Sequence, residues 1–306
     1  MASTTTSQRI TGHPVKTPTR KRMQSAYPLW FYLPAGILFL VLFVLPTFTS
    51  FYFSLTRWTL FDVHFIGLDN FVTFFTEDTL YSSFIHTLIY AFITCFAKIV
   101  FGIGLAVLLT SALIGRGYLR AVIFFPVLVS AIGVGFTFQI LLDPFHGPVN
   151  TALARIGING PGWLTNPDLA LFSVAGIDIW KGVGIATLIF IAGIVAIPSE
   201  YYEAAKVDGA SGWQIFWGVT LPLLRPATST VILLALIGGL RSFDLIWATT
   251  GGGPGFSSDV IASVIYKQYQ AGFYGLSTAG NVVLFLVVTA IVVPLNWWLT
   301  RREVTR

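Results

Sequence analysis

Six stretches of this chain are apolar for longer than a soluble fold tolerates. They cover residues 29 to about 55, 84 to 113, 118 to 142, 169 to 197, 227 to 248 and 279 to 300. Each is long enough, at about 1.5 Å per residue, to cross about 30 Å of hydrocarbon as a helix. The pattern predicts an all-α membrane protein, a six-helix bundle rather than a barrel. Composition agrees: only 10% of residues are charged and 55% are hydrophobic, whereas a soluble domain carries roughly 25% charged residues.

The polar segments fix an expected orientation. Residues 1–27 are rich in Ser, Thr, Lys and Arg, a composition that cannot bury enough surface to offset its ordering entropy, so a disordered basic cytoplasmic tail is expected. The run after it is longer than the roughly 7 to 15 residues of a signal-peptide core, and no small-residue cleavage site follows. With the tail inside, the inner side holds Arg9, Lys16, Arg20, Lys21, Arg22, Arg116, Arg120, Lys206, Arg225, Arg301, Arg302 and Arg306, and the outer side keeps Arg57, Arg155 and Lys267. This asymmetry puts both termini in the cytoplasm. The net charge of +5 is not interleaved with aromatics on a polar segment, which argues against nucleic acid. The single cysteine, Cys95, excludes an intramolecular disulfide and a CxxC motif, and reads as a small packed hydrophobe. Gly102 and Gly104, Gly133 and Gly135, Gly182 and Gly184, and Gly238 and Gly239 are expected at close helix contacts. Pro34, Pro46, Pro126 and Pro294 are expected at or near span ends, where a kink is tolerated.

The connection from Pro198 to Pro226 is the most informative segment. Glu200 and Glu203 follow Pro198 in what reads as a first helical turn, and Gly209 supplies a permissive backbone to end that helix. Ser211 and Gln214 have capping-box spacing, and Trp213, Phe216, Trp217 and Thr220 form one face of a second helix before Pro222 and Pro226. The expected product is an amphipathic elbow on the inner surface. It suits equally a segment resting on the membrane and a docking site for a cytoplasmic partner.

Glu203-Ala204-Ala205, then Asp208-Gly209-Ala210, then Leu221-Pro222 resembles the EAA loop of binding-protein-dependent ABC importer permeases. Further resemblance narrows to the carbohydrate type, similar to maltose-like and glycerol-3-phosphate-like importers. It rests on Leu33-Pro34-Ala35, Gly67-Leu68-Asp69-Asn70-Phe71, Phe125-Pro126 and Gly251-Gly252-Gly253-Pro254-Gly255. The resemblance implies a type I importer fold over residues 28–306, with a coupling loop at 199–226. It implies a sugar or oligosaccharide as cargo, with glycerol-3-phosphate or a glycerophosphodiester as the alternative. The implied partners are a second homologous permease, cytoplasmic ATP-binding subunits that hold ATP and Mg, and an extracytoplasmic solute-binding protein. It assigns the ATPase contact to Glu203, Ala204, Ala205, Asp208, Gly209, Ala210, Leu221 and Pro222. No segment has the form GxxxxGK[ST], as expected of a permease whose ATPase is a separate chain.

Ionisable residues within the runs mark a cavity or a buried pair. Asp178 and Lys181 are three apart, as are Arg241 and Asp244, so each pair is expected on one helical face. Asp178 falls roughly 14 Å from the outer end of its run and Arg241 roughly 22 Å from the inner end of its own. Two uses stay open. One is a substrate path built from Asp178, Trp180, Lys181, Arg241, Ser242 and Asp244, with Trp180 as a stacking face; the resemblance implies that the fourth and fifth spans line such a cavity. The other is a set of structural ion pairs, within a helix or between those two spans. Lys98 and Asn281 are assigned to packing or partner contacts, and His86 to the outer interface. No cluster has metal spacing and no nucleophile sits beside a base, so catalysis in this chain is not expected. Two rival functions remain at this point: an ion-coupled secondary transporter, which has no need of the elbow, and a membrane scaffold that binds a partner without transport.

Overall fold

The computed structural model describes residues 29–59, 61–111 and 113–304; the basic tail expected over 1–27 lies outside the described residues. The chain divides after Thr47 into two compact units. In the first, Pro34 occupies the opening turn of a helix, where a missing N–H breaks no bond, and Leu40–Val44 forms a π turn. These belong to the first long helix, α1, Trp30–Ser54.

The second unit, from Phe48 onward, carries a small two-stranded substructure after α1. Strands β1 (Thr56–Trp58) and β2 (Val63–Phe65) pair antiparallel, with Arg57 opposite His64. Helix α2, Asp69–Thr76, follows. Buried Asn70 donates both amide hydrogens, to the Ser54 and Thr56 carbonyls at 2.8 Å each. That explains the Gly67–Phe71 motif physically: its asparagine pins the end of α1 to β1.

Helix α3, Asp78–Thr110, has 33 residues and so runs about 50 Å. It begins ahead of the apolar run expected from 84, because a helix continues through polar residues beyond the hydrocarbon. The run 118–142 is not one straight helix. It forms α4 (Arg116–Leu128) and α5 (Ala131–Leu141), bent by 100°. Pro126 removes a donor near the end of α4, and Val129 and Ser130 are extended, with ψ of 139° and 138°. Short α6 (Pro148–Arg155) leads to α7 (Pro167–Val195), which Asn166 caps by accepting the Asp168 N–H at 2.9 Å.

The elbow comprises α8 (Ser199–Val207) and α9 (Gly212–Leu223). Helix α9 meets α10 (Arg225–Leu240) at 67°. The run 227–248 also breaks: α10 stops at Leu240, and α11 (Asp244–Thr249) begins after three non-helical residues. Then come α12 (Ile261–Gln270) and α13 (Tyr274–Val304). Among the described residues, four helices are long and apolar enough to cross a bilayer, and up to six crossings result if each bent pair counts as one.

Three buried clusters stack along α3. Near its start, Leu80 packs with Phe74, Ile261, Val264 and Val283. Midway, Tyr90 meets Val134, Val174, Ile177 and Ile246. Towards its end, Ala106 and Leu109 meet Phe190, Leu224 and Val231. The hairpin and the elbow therefore lie at opposite ends of a helix longer than a bilayer is thick. Several of the expected small residues sit at close contacts. A Cβ on Gly239 would lie 2.7 Å from the Ala91 Cα, and one on Gly184 would lie 2.7 Å from the Ile123 carbonyl oxygen.

Candidate functional site

The elbow closes on itself. Helix α8 begins after Pro198 with Glu200 in its first turn, where a carboxylate favours the helix dipole. Glu203 falls one turn later than the sequence reading put it, because helical geometry starts at Ser199. The helix ends at Gly209, whose φ of +76° suits glycine. Gly209 N–H donates to the Lys206 carbonyl at 3.0 Å and Ala210 N–H to the Ala205 carbonyl at 2.9 Å, the pairing of a Schellman turn. The expected capping box is present: Ser211 Oγ accepts the Gln214 N–H at 3.4 Å, and Gln214 Oε1 accepts the Ser211 N–H at 2.7 Å.

One hydroxyl contact joins the two arms, Thr220 Oγ1 to the Tyr202 hydroxyl oxygen at 3.4 Å. Trp213, Phe216 and Trp217 cluster as expected, with ring centroids 5.4 to 6.2 Å apart. Glu203, Ala204, Asp208 and Gly209 are exposed, while Ala205, Ala210, Leu221 and Pro222 are half-buried. Asp208 stands at the negative end of the α8 dipole, where a carboxylate is unfavourable. Between α9 and α10, Leu224 is fully buried, and Gly193 gives it room: a Cβ there would lie 2.8 Å from the Leu224 Cδ2.

The membrane-depth charges arrange themselves differently from the expectation. Asp178 does not pair with Lys181. Its Oδ2 accepts from Lys98 Nζ on α3 at 2.8 Å, and both side chains are largely buried. Helical spacing allows Asp178 to meet Lys181, but the low dielectric between α3 and α7 makes Lys98 the partner that neutralises both buried charges. Gly182, one turn after Asp178, clears the passage: a Cβ there would meet Lys98 Cε at 2.7 Å. Lys98, which the sequence reading gave to packing or partner contacts, thus belongs to the polar centre. Tyr90, buried on α3, faces the same carboxylate, and its hydroxyl accepts from Ser242 Oγ at 3.4 Å. Sequence reasoning missed Tyr90 altogether. The signal available for Lys98 was its isolation, a lysine in the second run with no carboxylate in that run to meet it.

Arg241 and Asp244 do not share a helical face, because the helix stops between them. Two consecutive glycines, Gly238 and Gly239, weaken the end of α10 just before the break. Both charged residues are exposed, and neither they nor Lys181 take part in a salt bridge among the described residues. Trp180 is exposed and meets Phe138 edge-on, centroids 5.3 Å apart.

Beyond α11, the glycine-rich loop wraps a buried carboxylate. Gly251, Gly252 and Gly255 all have positive φ, and Gly252 lies against Asp259 and Lys267. Asp259 accepts from Lys267 Nζ at 2.6 Å and from Ser263 Oγ at 2.7 Å. Burial raises its pKa, while Lys267 and Ser263 pull it back part of the way. His86 Nδ1 lies 3.1 Å from the Asp259 carbonyl oxygen, which ties the loop to α3. On the next loop, the His146 and Phe145 N–H groups donate to Asp143 and lower its pKa, the former at 2.6 Å. Cys95 is buried, its Sγ 3.7 Å from the Ile232 carbonyl oxygen.

An exposed elbow at one end of a helical membrane protein, and unpaired charges at the level of its spans, call for relatives. A family model described as the inner membrane component of binding-protein-dependent transport systems matches residues 16–303. The chain belongs to this family. The permease is 34% identical over 264 residues to a trehalose/maltose transport system permease protein of Thermococcus litoralis, covering 85% of the chain and 89% of that relative. It is 31% identical over 274 residues to a multiple sugar-binding transport system permease protein of Streptococcus mutans, covering 88% and 94%. Among solved structures, a bacterial ABC transporter involved in the import of the acidic polysaccharide alginate matches with a TM-score of 0.79 at 26% identity, covering 89% of this chain and 94% of that one. The permease is thus a transport component of the cytoplasmic membrane with the helical fold of these importers.

Proposed function

We propose that this permease carries a sugar or oligosaccharide across the cytoplasmic membrane by alternating access, with six crossings, both termini inside, and energy supplied by a separate ATPase subunit. The observation that carries the reading is the exposed, self-capped elbow at the end of α3 opposite the hairpin. The relatives named for sugars favour a saccharide over glycerol-3-phosphate. Glu203, Ala204, Asp208 and Gly209 form the surface offered to the ATP-binding subunit, and Ala205, Ala210, Leu221 and Pro222 support it from within. This chain is non-catalytic; ATP and Mg belong to that partner.

Arg241 and Asp244 define the side on which solute passes. Ionisable groups facing lipid are costly, so their exposed face turns to an aqueous path shared with a second homologous permease. Trp180, Lys181 and Ser242 extend that path. Asp178 borders it through Tyr90, with its charge already met by Lys98. A solute-binding protein delivers cargo at the hairpin end. ATP binding drives the cycle only because the closed ATPase pair favours one permease conformation over the other.

The test is to purify the permease from its native membrane and measure ATPase activity with maltose, trehalose and alginate oligosaccharides. Co-purification of a second permease and an ATPase, with stimulation by a saccharide, is the expected result. The permease alone, with uptake driven by a proton gradient, is the contrary one. Asp244→Ala is expected to cut uptake by at least about tenfold while the complex stays assembled; loss of assembly instead makes Asp244 an interface residue.

A further inference from the structure

An aromatic strip continues from the break at Arg241–Asp244. The Phe243 ring lies nearly parallel to that of Trp247, centroids 5.8 Å apart. Tyr266, on α12, closes on both rings at 5.4 and 4.8 Å. Tyr266 and Tyr269 stay 36% and 58% exposed. With Phe243, Ser277 and Asn281 they line an open groove of about 380 Å³. Asn281 is exposed within apolar helix α13. Its amide nitrogen donates to the Ser277 carbonyl at 3.3 Å, and its carboxamide oxygen has no hydrogen-bond partner among the described residues.

A carboxamide facing hydrocarbon loses its hydrogen bonds, so this groove is poorly suited to lipid. A pyranose ring has the complementary chemistry: a C–H face that packs on an aromatic ring, and a rim of hydroxyls that both donate and accept. Tyrosine supplies a ring and a hydroxyl together, and asparagine supplies a donor and an acceptor. The groove begins at Phe243, between Ser242 and Asp244, and extends to α12, whose Ile261 and Val264 pack beside Leu80 at the end of α3 away from the elbow. Resting on the path reading above, we propose that Tyr266, Tyr269, Phe243 and Asn281 form a saccharide subsite that receives a pyranose ring before it reaches Arg241 and Asp244.

The experiment uses the native complex in nanodiscs without its binding protein. Equilibrium dialysis measures whichever of maltose, trehalose or alginate pentasaccharide stimulates the ATPase. Tyr266→Ala with Tyr269→Ala is expected to raise Kd about tenfold, as is Asn281→Leu, whereas the paired Tyr→Phe variant changes it less than about threefold. All variants should keep the second permease on size exclusion. An unchanged Kd in the alanine pair, release of the second permease, or no binding of any probe by the wild type overturns the subsite. If Arg241→Ala and Asp244→Ala leave uptake unchanged, the path reading itself falls. If they abolish uptake while the tyrosine variants bind normally, only the subsite does.

Discussion

Lys98 and Asp178 form a largely buried ion pair between α3 and α7. A buried charge left alone is strongly destabilising, whereas replacing both partners with apolar groups is often neutral. Lys98→Met is therefore expected to destabilise the folded complex by about 3 kcal/mol, and Lys98→Met with Asp178→Leu to recover most of that loss. Chemical denaturation in detergent reads the difference. A double variant as unstable as the single one means that Asp178 answers to another group. Asp259 makes a pH-dependent prediction. Burial holds its pKa above the ordinary value of about 3.9, so folding takes up a proton between the two values and stability falls as pH rises through that window. The melting temperature of the wild type, measured against Asp259→Asn, should drop from about pH 4 upward and level off once the folded-state pKa is passed. A flat difference from about pH 4 to 8 contradicts the burial described here.

Among the elements, the elbow was the most legible in the sequence, because its signals are local: Gly209 for a left-handed stop, Ser211 with Gln214 for a start, and Pro198 ahead of the first turn. The third and fifth runs were the least legible. Hydropathy reports how apolar a stretch is, not whether its axis turns. The 100° bend at Val129–Ser130 and the break at Arg241–Phe243 depend on what α5 and α11 pack against. The Arg241 and Asp244 geometry failed for that reason, since i,i+3 spacing has meaning only where the helix continues. The Asp178 partner was missed because contacts between distant runs leave no periodic trace.

Two tests belong to this scale. Gly209→Pro cannot adopt φ of +76° and loses the N–H bonded to Lys206; with Glu203→Lys it should leave membrane insertion intact and cut ATP-dependent uptake at least about tenfold. Normal uptake in either variant removes the coupling role. Neighbouring Gly238 and Gly239 give the second. A Cβ at Gly238 meets nothing within 4 Å, while at Gly239 it meets Ala91 and Thr94. Gly238→Ala should be neutral or slightly stabilising, and Gly239→Ala should cost about 1–3 kcal/mol, measured by thermal unfolding.

Across the whole molecule, the three clusters along α3 keep the two ends about 50 Å apart. Charge follows the same axis. Arg116 and Arg225 lie at the elbow end, and Arg120 donates to the Leu109 carbonyl there at 3.0 Å, beside the negative end of the α3 dipole. The long runs made the candidate crossings readable: four unbroken helices and two bent pairs lie where the sequence is apolar. The relative placement of helices was not, because it rests on glycine contacts whose partners lie far away in sequence. At the elbow the opposite holds. Its two helices are ended and started by their own residues, and a single hydroxyl contact spans them. A fold closed in this way travels: on the coupling role proposed above, the segment exchanged between importers as a cassette is expected to carry its ATPase preference with it and leave the choice of cargo behind.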